Sequence, residues 1–128
     1  MVRWLEANGY HKLTDGEVIA TEGATLVAMH TPGHAADHAC FLLEEEGSLF
    51  SGDNILGWGT CWVQSLSEYM TTLTQLERLQ PPTVYPGHGP VITDGPERLK
   101  KYIDHRTARE EQVSPPAIAW YVCMHLGA

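Results

Sequence analysis

The chain has 128 residues, of which 43% are hydrophobic, and its formal net charge is −8 at pH 7. This length fits one small domain or part of a larger one, and the acidic balance excludes a general affinity for nucleic acid, which depends mainly on phosphate contacts from Lys and Arg. The three cysteines follow no CxxC spacing, which excludes a disulfide framework and indicates reduced thiols in a reducing compartment.

Targeting and membrane signals are absent from the sequence. No apolar run approaches the roughly 18 residues of a membrane span, so we expect no contact with a membrane. The first residues resemble neither a secretory signal nor an Arg- and Ser-rich transit peptide. We therefore expect an intracellular protein.

Apolar patterning in the first half of the chain predicts four short strands separated by turns. The strands are expected at residues 18–20, 24–30, 39–43 and 48–51. Glu22-Gly23 is a turn between the first two strands, and Glu44-Glu45-Glu46-Gly47 is a solvated turn before the fourth. Two hairpins in quick succession indicate a largely antiparallel sheet.

A first helix is predicted from Leu66 to Leu79. Ser65 and Glu68 have the spacing of a capping box, in which the Ser side chain accepts a hydrogen bond from the amide of Glu68. Pro81-Pro82 then stops the helix. Its buried face is expected to consist of Tyr69, Met70, Leu73, Leu76 and Leu79.

A short strand from Thr83 to Tyr85 is expected to lead into a second helix that starts near Pro96. Asp94 and Glu97 form a second capping pair, and Pro115-Pro116 is expected to end the helix. Its inner face is expected to contain Leu99, Tyr102, Ile103 and Val113. Residues 113–128 are expected to be a divergent tail without a domain, apolar from Ala117 to Ala128.

Three glycine-bearing loops each place a metal-ligating side chain directly after a predicted strand. They are Thr31-Pro32-Gly33-His34, Ser51-Gly52-Asp53 and Tyr85-Pro86-Gly87-His88-Gly89. Imidazole and carboxylate groups are good ligands for first-row metals, and an Asp can bridge two cations because each of its oxygens can bind one. If the three strands lie side by side, these loops converge and supply half of a two-metal hydrolase site.

These loops resemble the later motifs of the metallo-β-lactamase fold, a family of zinc hydrolases that includes glyoxalase II and the ribonuclease Z-like enzymes. The chain looks most like an endoribonuclease branch of that family. The resemblance covers residues of roughly 8 to 112. It is carried by YHKLTDGEVIATEGATL at 10–26, TPGHAADH at 31–38, FSGDNILGWGT at 50–60, YPGHGPVI at 85–92 and YIDHRTARE at 102–110.

The resemblance implies an α+β fold, the C-terminal half of a metallo-β-lactamase αββα sandwich, as a partial domain over residues 1–112. It implies that His34 is the third histidine of the first zinc site, Asp53 the bridging carboxylate and His88 the histidine of the second zinc site. The cofactor implied is zinc, two ions per intact site, which would lower the pKa of bridging water to roughly 7. His38 is implied to lie beside the ligands or the substrate.

One part of the family pattern is missing. The signature HxHxDH, which supplies four further ligands, does not occur in this sequence, and the similarity stops after Gln112. A truncated gene model or an alternative transcript is the expected explanation. We expect this chain alone to hold zinc poorly and to be impaired as an enzyme.

Other side chains with chemical potential have less specific surroundings. His105, Arg106 and Arg109 on the second helix form either a solvated face or a strip that binds RNA phosphates. Trp58, Trp62 and Trp120 are expected to fill the core, with stacking on bases as the alternative.

The function implied by resemblance is a metal-dependent endoribonuclease that acts on single-stranded RNA in the mitochondrial matrix or the cytosol. The segment from Tyr102 to Glu110 favours this branch. The alternatives are a thioester hydrolase of the glyoxalase II type, with a small-molecule substrate, and a non-catalytic fragment. Because the strands from Val18 to Ser51 are expected to pack on an absent half, we also expect self-association.

Overall fold

The computed structural model describes Gly9 and residues 12–113, with side chains described as far as Arg109. Its elements are β1 (Val18–Thr21), β2 (Ala24–His30), β3 (Ala39–Leu43), β4 (Ser48–Gly52), α1 (Leu66–Arg78), β5 (Val84–Pro86) and α2 (Gly95–Val113). Each predicted strand is present, with its ends displaced by at most one residue. The predicted α+β class is confirmed.

One sheet contains all five strands, in the order β1-β2-β3-β4-β5. The pairs from β1 to β4 are antiparallel, as the hairpins predict, and β5 lies parallel to β4. A parallel pair needs a crossover connection, and α1 lies within it. It follows that β2, β4 and β5 run in the same direction and end at the same edge of the sheet.

The two faces of the sheet differ in what covers them. Leu49 and its partner Val84 are fully buried in a cluster with the apolar side chains of both helices. The next pair along these strands, Phe50 and Tyr85, points to the opposite face, where the two rings stack with centroids 4.9 Å apart. Phe41 pairs with Phe50 on that second face, and Phe50 remains 39% exposed.

The start of α1 is held by a distant loop. Ser65 makes no side-chain capping hydrogen bond, so the predicted capping box is wrong. Instead, the backbone N–H groups of Gln64 and Ser65 both donate to the carbonyl of Gly33, at 2.8 and 3.0 Å. On the predicted buried face of α1, Tyr69, Leu73 and Leu76 are buried as expected. Leu79 lies after the end of the helix and is 36% exposed.

The start of α2 follows the prediction, because its cap is local. The Glu97 N–H donates to Asp94 Oδ1 at 3.1 Å. Leu99 and Tyr102 are buried, and Ile103 packs against the core. The predicted helix end at Pro115-Pro116 and the tail beyond it lie outside the described residues.

Two further expectations can be compared with the fold. Cys40 and Cys61 are free thiols and both are buried, whereas Cys123 lies outside the described residues. Trp58 and Trp62 are 67% and 70% exposed, so the expectation that they fill the core is wrong for both, and Trp120 lies outside the described part of the chain. Among the described helices, none has the length and apolar character needed to cross a membrane.

Candidate metal centre

The loops that carry His34, Asp53 and His88 follow β2, β4 and β5 and therefore leave the sheet at one edge. The predicted adjacency holds for β4 and β5, whereas β3 lies between β2 and β4. The loop after β2 closes on itself, since the Thr31 N–H donates to the His38 carbonyl at 2.9 Å. This closure keeps His34 near the ends of the neighbouring strands.

Asp53 lies between two imidazoles. Nε2 of His34 is 3.7 Å from Oδ2 of Asp53, and Nε2 of His88 is 3.4 Å from Oδ1. Each carboxylate oxygen thus faces a different histidine. In the part of the chain that the structure describes, no three His, Cys, Asp or Glu side chains enclose a single metal position. The arrangement offers two positions, each with one imidazole and one carboxylate oxygen.

The ring of His34 is oriented by a backbone carbonyl. Its Nδ1 lies 2.8 Å from the carbonyl oxygen of Trp62, which can only accept a hydrogen bond, so a neutral His34 carries its proton on Nδ1. The Nε2 lone pair then faces an oxygen of Asp53. Two acceptors that face each other fit a cation between them, and an Nδ1–H bound to a carbonyl is the usual support of a metal-binding histidine.

His38 supports the Asp53 loop and does not face the carboxylate. Its Nε2 accepts the backbone N–H of Asp53 at 3.2 Å, so its Nδ1–H donates to Thr31 Oγ1 at 3.0 Å. Burial, and secondly the proximity of His34, lower the pKa of His38 below the ordinary value, which favours this neutral form. The Thr31 hydroxyl in turn donates to Cys40 Sγ, whose pKa burial raises to about 11.

Two glycines permit the close approach of these loops. Gly52 has a φ of 50°, and a Cβ there would lie 2.8 Å from His38 Nε2. A Cβ on Gly87 would lie 2.8 Å from Asp53 Oδ1, and its backbone N–H donates to the Gly52 carbonyl at 2.8 Å. Asp53 is therefore confined between the His38 ring and the His88 loop.

The three side chains of the candidate phosphate-binding strip on α2, His105, Arg106 and Arg109, differ in their exposure. His105 and Arg109 are exposed. Arg106 is half-buried, its Nη2 donates to the Cys61 carbonyl at 2.7 Å, and its guanidinium lies over the Tyr69 ring. Arg106 is thus engaged by the backbone of the segment that leads to Trp62 and the candidate ligand His34. A contact between a side chain and a distant carbonyl has no sequence signal, which is why the roles of Arg106 and Trp62 were missed.

Comparison with protein families and curated proteins identifies relatives of this chain. The family model for the metallo-beta-lactamase superfamily matches residues 3–88. Lactamase-like protein aptB of Emericella nidulans is 52% identical over 82% of the chain, atrochrysone carboxyl ACP thioesterase AgnL7 of Paecilomyces divaricatus is 48% identical over 82%, and the beta-lactamase-like protein 2 homolog of Caenorhabditis elegans is 47% identical over 81%. The chain spans 33–35% of the length of these three relatives.

Solved structures show the same fold. A metallo-beta-lactamase family protein from Thermus thermophilus is 34% identical, with a TM-score of 0.73 over 80% of this chain and 37% of its own. The protein TTHA1623, solved in a di-iron-bound form, is 28% identical, with a TM-score of 0.53 over 75% of this chain and 54% of its own.

Proposed function

The chain belongs to the metallo-β-lactamase superfamily, and on this premise we propose that it carries half of the two-metal centre of a hydrolase. The observation that carries the proposal is the position of Asp53, which presents one oxygen to His34 and the other to His88. These three residues would hold the metals. When bound, a pair of cations activates water and polarises the substrate carbonyl or phosphoryl group.

The chain's own residues determine how the metals would be held. Asp53 supplies the negative charge shared by both positions, and His34 presents Nε2 because Trp62 occupies Nδ1. His38 holds the backbone of Asp53. Imidazole and carboxylate ligands suit both zinc and iron, and TTHA1623 binds a di-iron pair. We therefore propose a metal-dependent enzyme, with zinc as the first metal to test.

We propose a thioester as the substrate class. Two guanidinium groups on α2 that face the segment after Asp53 are engaged by backbone carbonyls: Arg106 by Cys61, and Arg98 by Leu56 and Gly59. They offer little to a phosphate chain. By contrast, Trp62 is 70% exposed and its ring stands edge-on to His34 at 6.4 Å, an apolar surface suited to an acyl group. One relative, at 48% identity, is named as an acyl-carrier-protein thioesterase.

Cleavage of single-stranded RNA is the second candidate. Lys101, His105 and Arg109 are exposed at four-residue spacing along α2, so they lie on one side of the helix. Lys101 is paired with Glu97 at 2.6 Å, which reduces the positive charge of this stripe. In the segment from Tyr102 to Glu110, Tyr102 and Arg106 bind backbone groups of residues 56 and 61, so they are not available to RNA.

One experiment separates these substrates. The chain and the longest natural form of the protein are assayed in excess Zn²⁺ or Fe²⁺ with acyl thioesters of N-acetylcysteamine and with an end-labelled single-stranded RNA. We expect thiol release by the long form, little by the chain alone, and none by either Asp53→Asn variant. RNA cleavage without thiol release would reject the thioester proposal in favour of the second candidate. Activity unaffected by Asp53→Asn would reject the metal centre.

We propose that the chain also associates with itself through the sheet face that contains Phe41, Phe50 and Tyr85. Burying apolar surface contributes about 25 cal/mol of free energy per Å². A solvent-exposed aromatic face therefore favours dimers or aggregates. Size-exclusion chromatography with light scattering tests this, and Phe50→Glu should shift the population towards monomers. Val91→Glu is the matched control, since Val91 is 51% exposed and lies outside the sheet. A wild-type monomer with cooperative melting would contradict the proposal.

A further inference from the structure

The segment from residue 54 to residue 62, called here the bridging segment, contacts both candidate histidines. It starts directly after Asp53. The Gly57 N–H donates to the His88 carbonyl at 2.9 Å. At the far end, the Trp62 carbonyl lies 2.8 Å from Nδ1 of His34. The position of this one segment therefore affects the backbone of His88 and the ring of His34.

Helix α2 holds the bridging segment from behind. Tyr102 Oη accepts the Leu56 N–H at 3.0 Å and donates to the Gly59 carbonyl at 3.0 Å. Arg106 Nη2 donates to the Cys61 carbonyl at 2.7 Å. Arg98 Nη2 donates to the Leu56 carbonyl at 2.8 Å. Residues 98, 102 and 106 are four apart, so one side of the helix makes all of these contacts.

Helix α1 restrains the same segment from a second direction. The Tyr69 hydroxyl donates to the Asn54 carbonyl at 2.6 Å. The Arg106 guanidinium lies 5.4 Å from the centre of the Tyr69 ring, so the two anchors touch each other. Arg106 is thereby fixed at both its charged end and its planar face. A charged donor held in this way makes a stronger bond to a carbonyl than a neutral donor does.

We propose that Arg106 and Tyr102 are positioning residues for the metal centre, acting through the bridging segment on His34 and His88. The inference rests on the proposed function, in which these histidines bind metals. Arg106 holds the Cys61 carbonyl, which fixes the next carbonyl along the chain, that of Trp62. That carbonyl keeps the His34 proton on Nδ1 and the Nε2 lone pair towards Asp53. Tyr102 holds the backbone on either side of Gly57, whose N–H donates to the His88 carbonyl, so it positions the backbone of His88 and leaves its ring free.

A structural role alone would predict a different result. If these residues only attach α2 to the fold, their loss lowers the melting temperature without affecting the His34 ring. If they position the centre, their loss mixes the two neutral tautomers of His34, even without metal. The His34 tautomer is therefore the decisive readout.

The test uses the ¹⁵N-labelled chain at about pH 8, above the ordinary pKa of imidazole, and long-range ¹H–¹⁵N spectra of the histidine rings, with His34→Gln for assignment. We expect one Nδ1–H tautomer in the wild type, a mixture in Arg106→Gln, and partial recovery in Arg106→Lys. Lys100→Gln removes the same charge from an exposed position of α2 and should leave the spectrum unchanged. Co²⁺ titration should show about tenfold weaker binding by Arg106→Gln.

Each outcome has a defined meaning. A folded Arg106→Gln chain with the wild-type His34 tautomer would overturn the inference. If that variant does not fold, Tyr102→Phe, which removes a single oxygen from the same bridging segment, decides by the same His34 spectrum. If the wild-type chain binds no Co²⁺ at any concentration, the metal centre is rejected for this chain, while the tautomer spectra still decide whether α2 positions the rings.

Discussion

The two imidazoles that flank Asp53 are supported very differently. The His34 side chain is 26% exposed, its Nδ1 binds the Trp62 carbonyl, and its ring lies edge-on to those of His38 and Trp62. The His88 side chain is 72% exposed, and the described contact of its ring is with Asp53. On the His88 side the backbone is fixed, through Gly57 and Gly87, while the ring is not.

In the proposed metal centre, His34 is therefore the prepared ligand and His88 the adaptable one. A group already held in its binding geometry loses less conformational freedom when a ligand binds. We therefore expect the position beside His34 to account for most of the metal affinity of this chain. The position beside His88 should depend more on Asp53 and on whatever other ligands are present.

The largest effect is expected from Asp53→Asn, which should weaken metal binding at the His34 position and at the His88 position together. It removes the negative charge that two cations share. Changes to groups outside the ligands alone cost about 10–100-fold in metal affinity or activity, so we expect a loss of at least 100-fold, measured by Co²⁺ titration and by thiol release from the longest form of the protein. An Asp53→Asn protein that retains both metals and a near-normal rate would contradict the bridging assignment.

The glycines beside the two histidines provide a second comparison. A Cβ on Gly33, where φ is 132°, would lie 2.6 Å from Tyr69 Cβ, against the body of α1. We expect Gly33→Ala to cost about 3 kcal/mol of unfolding free energy through overpacking and backbone strain. Urea unfolding measures this directly.

Gly87→Ala is the matched change on the other side. Its Cβ would meet Oδ1 of Asp53 at 2.8 Å and the Gly52 carbonyl at 3.1 Å, so it displaces a partly exposed carboxylate and crowds a loop, but it does not meet a helix. We expect a smaller loss of stability, about 1 kcal/mol, together with weaker Co²⁺ binding. Equal losses of stability in the two variants would show that the two sides are equally rigid.

Removal of each histidine tests the contrast itself. His34→Ala deletes the ring that is already oriented, whereas His88→Ala deletes one that must still be ordered. We expect His34→Ala to weaken Co²⁺ binding by this chain about tenfold more than His88→Ala, the range seen when a supporting contact is lost. The reverse order in calorimetric titration would show that orientation of the ring by Trp62 does not matter for affinity.

The last prediction concerns the unaltered chain, which we expect to retain little zinc. A catalytic zinc usually has three protein ligands and a water, and each position here has one imidazole and a shared carboxylate. Equilibrium dialysis followed by elemental analysis should therefore find much less than two zinc ions per chain. Two dialysis-resistant ions per chain would mean that further ligands come from this chain or from a second copy of it.

Much of the fold is determined by local sequence. Short apolar runs and Gly turns predict strands and hairpins because a buried strand presents apolar side chains and a tight turn needs specific residues. The cap at Asp94 was predictable for the same reason, since its partner is the nearby amide of Glu97. The three candidate ligands were also recognisable, because each lies in a glycine-bearing loop at the end of a strand.

Tertiary structure decided everything that depends on contacts between distant segments. The start of α1 is held by Gly33 and not by the local capping box, Trp58 and Trp62 lie on the surface and not in the core, and Arg106 binds a backbone carbonyl. Side-chain chemistry alone does not identify these partners, because every residue offers the same backbone carbonyl. The sequence therefore determined which side chains are candidates for the proposed centre, and packing of the two helices determined how the chain holds them.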